Sequence, residues 1–237
     1  IKQVPDTTEV KLDPKTGRLI RDGVPSIINP DDKNALEEAL RIKDENPDTT
    51  VTVVSMGPPQ ADVAMREALA MGADEAILIS GREFGGSDTW ATSYIIATAI
   101  KKIPDYDIIF CGRQAIDGDT AQVGPQIAEQ LNIPQITYVQ KLDIEGDKVI
   151  VQRQLEDGYT VVEAKMPVLL TAIKELNTPR YMTPKGIFEA YNKTVQVWGF
   201  NDVPVDAEKI GLKGSPTNVN RTFSPEAKGK GIMLEGA

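Results

Sequence analysis

The stretch from Cys111 to Leu131, CGRQAIDGDTAQVGPQIAEQL, brings together residue types that hold an anion. It follows a short apolar run, Asp107 to Phe110, and opens with small and turn-forming residues. It then takes helical spacing, with Val123, Ile127, Ala128 and Leu131 on one face. A strand, a glycine-containing turn and a helix start, in that order, point the free N–H groups of the first helical turn outward, where the helix dipole favours negative charge. The expected donors are the amides of Ala121, Gln122, Val123 and Gly124, with the Thr120 hydroxyl beside them. Pro125 has no N–H and closes the set. Asp117 and Asp119 repel a phosphate if aimed at it, so they are read as holding loop amides or a ribose hydroxyl. The competing reading is a tight turn without ligand, with Thr120 as an ordinary N-cap. The preferred reading is a site for a phosphate-bearing cofactor.

Other chemistries are excluded by composition. The 237 residues contain no histidine and one cysteine. That removes Ser-His-Asp and Cys-His nucleophiles, histidine-ligated metals, thiolate clusters and internal disulfides. Redox or group-transfer chemistry here therefore needs a bound cofactor. With 26 Lys+Arg against 35 Asp+Glu, the net charge of −9 argues against nucleic acid as a partner. No apolar run approaches the length of a membrane span, no signal peptide is visible, and the lone cysteine fits a reducing, cytoplasmic setting. The sequence starts at Ile1, inside an expected strand, so residues upstream of it are expected and a removed leader stays open.

The elements that must position the turn read as alternating strands and helices. Strands are expected over 1–4, 51–56, 75–79, 107–111 and 135–139, and helices over 31–43, 60–71 and 87–103. A hairpin excursion is expected where Glu9 to Leu12 and Arg18 to Arg21 flank Asp13-Pro14-Lys15-Thr16-Gly17. Later, 148–153 and 159–165 flank the turn Glu156-Asp157-Gly158, and 167–172 is an apolar strand. This is the pattern of a doubly wound α/β fold, a mostly parallel sheet with helices on both faces. Ligands in such sheets sit beyond the carboxyl ends of the strands. The turns at Asn29-Pro30, Met56 to Pro58, Gly85 to Asp88 and Gly112 to Gly124 all precede helices, so they are expected to converge on that edge. The expected division is an α/β domain over 1–190 and an extended C-terminal arm over 191–237, anchored by Trp198, Phe200 and Phe223 and laid on a partner.

Several motifs together resemble the beta subunit of electron transfer flavoproteins, the smaller chain of an alpha/beta heterodimer. They are Lys2-Gln3-Val4-Pro5-Asp6, Asn29-Pro30-Asp31-Asp32, Ala68 to Asp74, GRQAIDGDTAQVGP from Gly112 and Leu176-Asn177-Thr178-Pro179-Arg180-Tyr181. The likeness runs from Ile1 to about Tyr191. Phe84 to Thr89 and Gly211 to Phe223 resemble the electron-bifurcating branch of anaerobic metabolism, whose beta subunit binds FAD and NAD, whereas ordinary members bind AMP in the same place.

The resemblance implies cofactor contacts at Gly112, Arg113, Gln114, Asp117, Gly118, Asp119 and Thr120 as well as at the amides already named. It adds Asn29 and Asp32, against a bland reading of simple helix capping, and Met56 beside the adenine, against a core methionine. Asp88, Thr89 and Thr92 are placed on the ribityl chain or flavin of FAD, against capping. Arg113 is read as favouring a reduced, anionic flavin, against an ion pair with a nearby carboxylate. Cys111 is read as a small buried hydrophobe. In the Leu176 loop the resemblance implies that Leu176 plugs into a dehydrogenase, with Asn177, Pro179, Arg180 and Tyr181 around it; a lone leucine in a polar loop is not expected in the core. The implied partners are the alpha subunit, an acyl-CoA or hydroxyacid dehydrogenase, and ferredoxin or flavodoxin. The alternatives are a non-bifurcating beta subunit with structural AMP, and a nucleotide-binding regulatory module of universal-stress type.

Overall fold

The computed structural model describes residues 1–6, 25–220, 229 and 231. The hairpin expected around residues 13–17 and the anchor Phe223 lie outside the described residues. Strands β1 (Gln3–Pro5) and β2 (Ser26–Ile28) pair antiparallel and lead into helix α1 (Pro30–Glu45). Then follow β3 (Thr52–Met56), α2 (Asp62–Met71), β4 (Glu75–Ile79), α3 (Thr89–Ile100), β5 (Ile108–Gly112) and α4 (Val123–Leu131). The second half runs β6 (Gln135–Glu145), β7 (Lys148–Gln154), β8 (Tyr159–Lys165), β9 (Val168–Ala172), α5 (Pro184–Asn192), β10 (Val195–Trp198) and the short α6 (Gly211–Gly214).

Two sheets carry the fold. One has the order β10-β4-β3, all parallel; the other has β5-β9-β6-β7-β8, parallel as far as β6 and antiparallel through the β6–β7–β8 meander. Strands β3 and β5 end their respective sheets, and residues from both line one cavity. Successive strand side chains point to opposite faces, so each sheet feeds two apolar layers. In β3, Val53 packs with α1 and α2 residues such as Leu36 and Met65, whereas Val54 and Met56 pack with Ile95 of α3. In β9, Val168 and Leu170 pack with Ala35 of α1, whereas Leu169 packs with Ile127 and Ala128 of α4. Helices thus cover both faces, as the alternating pattern requires.

Local signals explain most element ends. Pro30 stands at the first turn of α1 with Asp31 and Asp32 beside it, which suits the positive end of a helix. Gly72, at φ 133°, stops α2 in a conformation that costs other residues strain. Among the described residues no helix is long and apolar enough to cross a membrane.

Beyond residue 190 the described chain packs onto the elements before it. Residues 195–198 form β10, which pairs parallel to β4. Trp198, Phe200, Val203 and Ile210 join the cluster around Ile95, and Lys102 sits 4.0 Å over the Trp198 ring. The region lacks apolar periodicity because it adds isolated anchors to an existing core instead of forming its own.

Candidate functional site

Three of the four expected turns meet at the carboxyl ends of β3, β4 and β5. Met56 to Pro58, Gly85 to Asp88, Gly112 to Ala115 and Gly118 to Gly124 line a cavity of about 2010 Å³, which continues between β3 and β5. It exceeds the usual span of small-ligand pockets, roughly 300–1,000 Å³, because it joins the crevice to that slot. The fourth turn, at Asn29, acts from behind. Asn29 is fully buried and makes no capping bond; its Nδ2 donates to the Gln114 carbonyl at 2.8 Å, and its Oδ1 accepts from Ile116 N at 3.0 Å. Buried Asp32 accepts from Gly112 N at 2.6 Å and from Lys2 N at 2.8 Å. Both residues grip the loop through its backbone, which corrects the expectation of capping and leaves their side-chain polar atoms engaged with protein.

The tip of the loop is exposed and strained. Asp119 and Ala121 have φ of 54° and 51°, a region that non-glycine residues enter at a cost and that marks functional loops. Gln114 Nε2 donates to Asp119, and Asp117 pairs with Lys2 at 2.6 Å, so both acids are turned to protein partners. The N-cap of α4 is Gln122, without a side-chain cap bond; Thr120 lies two residues ahead and does not cap. The amides of Gln122, Val123 and Gly124 fall among the helix-start donors that lack an intrahelical acceptor, and Pro125 contributes none. Across the crevice Thr89 Oγ1 donates to Gln122 Oε1 at 2.9 Å, so the starts of α3 and α4 face each other.

Two glycines of the motif serve packing. A Cβ on Gly124 would lie 2.8 Å from Cys111 Sγ and 3.0 Å from Thr171 Cγ2, so Gly124 lets α4 seat on β5 and β9. A Cβ on Gly112 would lie 2.7 Å from Asp32 N. Gly124 is therefore a helix–sheet contact first, and its expected role in admitting phosphate is not needed to explain it. Cys111 donates to the Leu170 carbonyl at 3.9 Å, and burial pushes its thiol up to about 12.

The remaining polar residues divide. Asp88 caps α3, accepting from Ala91 N at 3.0 Å through Oδ1, and its Oδ2 accepts from Thr217 N and Oγ1 at 2.9 and 2.7 Å. Thr92 Oγ1 turns to the Ser87 carbonyl at 3.5 Å. Both belong to helix-start structure, and the polyol contact read from them is left to Thr89. Arg113 lies 3.4 Å from Asp31, the ion pair of its competing reading, and 5.8 Å from the Tyr138 ring centroid. Burial raises the Asp31 carboxyl above its ordinary range despite that cation. Met56 both packs against α3 and lines the crevice.

The Leu176 loop departs most from expectation. Leu176 is 8% exposed and packs with Ala35, Leu170 and Val139. It is a core residue, and the polarity of its neighbours misled because they are spent on α1. Asn177 Nδ2 donates to Glu38 at 2.8 Å, and Arg180 pairs with Glu37 at 2.8 Å and Asp44 at 2.7 Å. Pro179 is half-buried beside them. Tyr181, at 95% exposure, is the large apolar residue of this loop left facing outward. It leads to α5, where Ile187, Phe188 and Tyr191 are exposed. That surface was missed, although the four-residue spacing of Ile187 and Tyr191 after a Thr183 N-cap is a helix signal.

Comparison with known proteins bears on the family. The electron transfer flavoprotein domain matches residues 16–203. An electron transfer flavoprotein subunit beta from Thermoanaerobacterium thermosaccharolyticum is 65% identical over 237 residues, covering 100% of this chain and 90% of that protein. The chain belongs to the electron transfer flavoprotein family, as a beta-type subunit. Within that family, the caffeyl-CoA reductase-Etf complex subunit CarD of Acetobacterium woodii is 60% identical, covering 99% of this chain and 90% of that protein. Protein FixA of Azotobacter vinelandii is 46% identical, covering 99% of this chain and 85% of that protein.

Proposed function

We propose that this chain is the beta subunit of a bifurcating electron transfer flavoprotein, holding FAD in the crevice and receiving NAD(H) beside it. The observation that carries the proposal is the strained loop 118–122, whose helix-start amides and tip open onto a cavity walled by Met56, Gly57 and Thr89. The two acids of the loop are turned to protein partners, so the phosphate-facing side is left to N–H donors. The donor set therefore fits the phosphate oxygens of a nucleotide. An FAD held there by the helix-start amides of α4, with Met56 and Thr89 beside it, would supply two-electron acceptance from NADH and one-electron donation, which would suit ferredoxin or flavodoxin on one side and an alpha-subunit FAD serving an acyl-CoA or hydroxyacid dehydrogenase on the other. The likeness to subunits named for caffeyl-CoA reductase and acryloyl-CoA reductase supports a partner of the acyl-CoA class.

The chain's own part is placement. Helix-start amides of α4 hold phosphate oxygens, Met56 and Gly57 bound the adenine side, and Thr89 with Gln122 closes the crevice between the two helix starts. Arg113 adds a cation near the same wall, weakened by its pairing with Asp31. Tyr181, Phe188 and Tyr191 form the dehydrogenase-facing surface, replacing Leu176 in that role. A non-bifurcating subunit with structural AMP is the second reading. It is favoured by Asp88 and Thr92, whose polar atoms are already taken up within the protein. The ultraviolet–visible spectrum and FAD count of the purified heterodimer, with and without NADH, decide between them. Two FAD per heterodimer and bleaching by NADH are expected; one FAD with AMP and no bleaching overturns the bifurcating reading.

A further inference from the structure

The crevice wall from Gly85 to Asp88 is backed by the segment Gly211 to Thr217. The two are pressed together. Gly211 has φ 64°, and a Cβ on it would lie 2.5 Å from the Glu83 carbonyl; a Cβ on Gly86 would lie 3.1 Å from Leu212 Cβ. Gly211 N donates to Ser87 Oγ at 2.9 Å, and Asp88 N donates to Ser215 Oγ at 2.8 Å. Buried Ser215 in turn donates through Oγ to the Gly211 carbonyl at 2.7 Å. Thr217 then closes on Asp88 Oδ2 with both its amide and its hydroxyl.

We propose that Ser215 and Thr217 are positioning residues for the nucleotide crevice: they turn the Asp88 carboxylate away from it and so couple nucleotide retention to the seating of the C-terminal segment. This rests on the nucleotide-binding function proposed above. Asp88 lines the cavity and stands at the start of α3, which faces the phosphate-binding start of α4 through the Thr89–Gln122 bond. Its Oδ1 is committed to capping, so Oδ2 is the atom whose direction the clasp controls. With Thr217 seated, Oδ2 accepts two hydrogen bonds from it. With the Thr217 hydroxyl removed, Oδ2 keeps only the Thr217 amide and is held less firmly against turning toward a site built for anions, where it repels phosphate.

The test uses the chain purified with its alpha-type partner and follows FAD retention by equilibrium dialysis. Thr217→Val keeps the side-chain shape and removes the hydroxyl donor, and is expected to weaken retention about tenfold, the scale of one hydrogen bond to a charged group. Thr217→Ser restores retention. Asp88→Asn added to Thr217→Val recovers most of the loss, because the amide carries no charge; loss by mere loosening of α3 would not be recovered. Hydrogen exchange at the Thr217 amide slows when FAD is added. Retention by Thr217→Val equal to wild type, or no recovery with Asp88→Asn, overturns the coupling while leaving the function standing. A wild-type complex that takes up no FAD overturns the proposed function and the coupling with it.

Discussion

Helix α1 grips two loops, and they differ in what the grip leaves over. At its start, Asn29 and Asp32 hold the backbone of residues 112–116, and the loop tip beyond stays exposed, strained and open to the crevice. Further along, Asn34, Glu37 and Glu38 hold residues 177–180 through side chains as well as backbone. There the polar residues of the motif are consumed, Leu176 drops into the core, and Tyr181 is left exposed. A recognisable motif therefore mixes residues that hold a loop with residues that the loop presents, and the hydrogen bonds separate them.

Four experiments press on that contrast. The largest effect is expected for Leu176→Ala, which removes a core side chain and costs about 2–5 kcal/mol. The thermal midpoint should fall by roughly 2–4 °C per kcal/mol, whereas Tyr181→Ala should stay within about 0.5 kcal/mol of wild type and weaken dehydrogenase binding in a pull-down titration. Equal midpoints for the two variants would erase the distinction between gripping and presenting residues. Gly124→Val comes next, at about 1–3 kcal/mol of overpacking against Cys111 and Thr171; a midpoint equal to wild type would place Gly124 at the phosphate and not at the sheet.

A smaller effect, kinetic in kind, concerns Cys111. With its thiol pushed up to about 12, it should resist iodoacetamide at pH 8 in the folded protein and react once urea is added. Fast labelling of the native chain would show that α4 lifts from the sheet. The smallest is acid sensitivity at Asp88. Burial alone would raise its carboxyl, but hydrogen bonds from Ala91, Thr217 and Trp90 outweigh burial and hold it below its ordinary value of 3.8. A depressed folded value stabilises the native state above pH 3.8 and loses that contribution as pH falls through the folded value. The stability gap between wild type and Asp88→Asn in urea titrations should narrow below about pH 4; a constant gap would detach the clasp from the carboxylate's charge.

Much of the fold was legible because its parallel strands are short apolar runs between clear stops. The strand expected over 75–79 ends where expected, and so does the strand over 159–165. Helix α3 came out shorter than the expected 87–103 because Asp88 is its cap and Lys101 its end. Strand β10 and helix α5 were not read. A four-residue parallel edge strand and a helix that exposes its apolar residues both lack a periodic buried face.

The sequence by itself determined the family, the alternating α/β order and the run that ends in the helix start of α4, since these depend on local pattern and on residues adjacent in the chain. Only the tertiary structure decided which polar side chains of that run are free. Asn29 meets Gln114, Glu37 meets Arg180 and Asp88 meets Thr217 across 85, 143 and 129 residues. A buried polar group must find its partner wherever the fold brings one, and spacing along the chain carries no record of bonds closed over such distances.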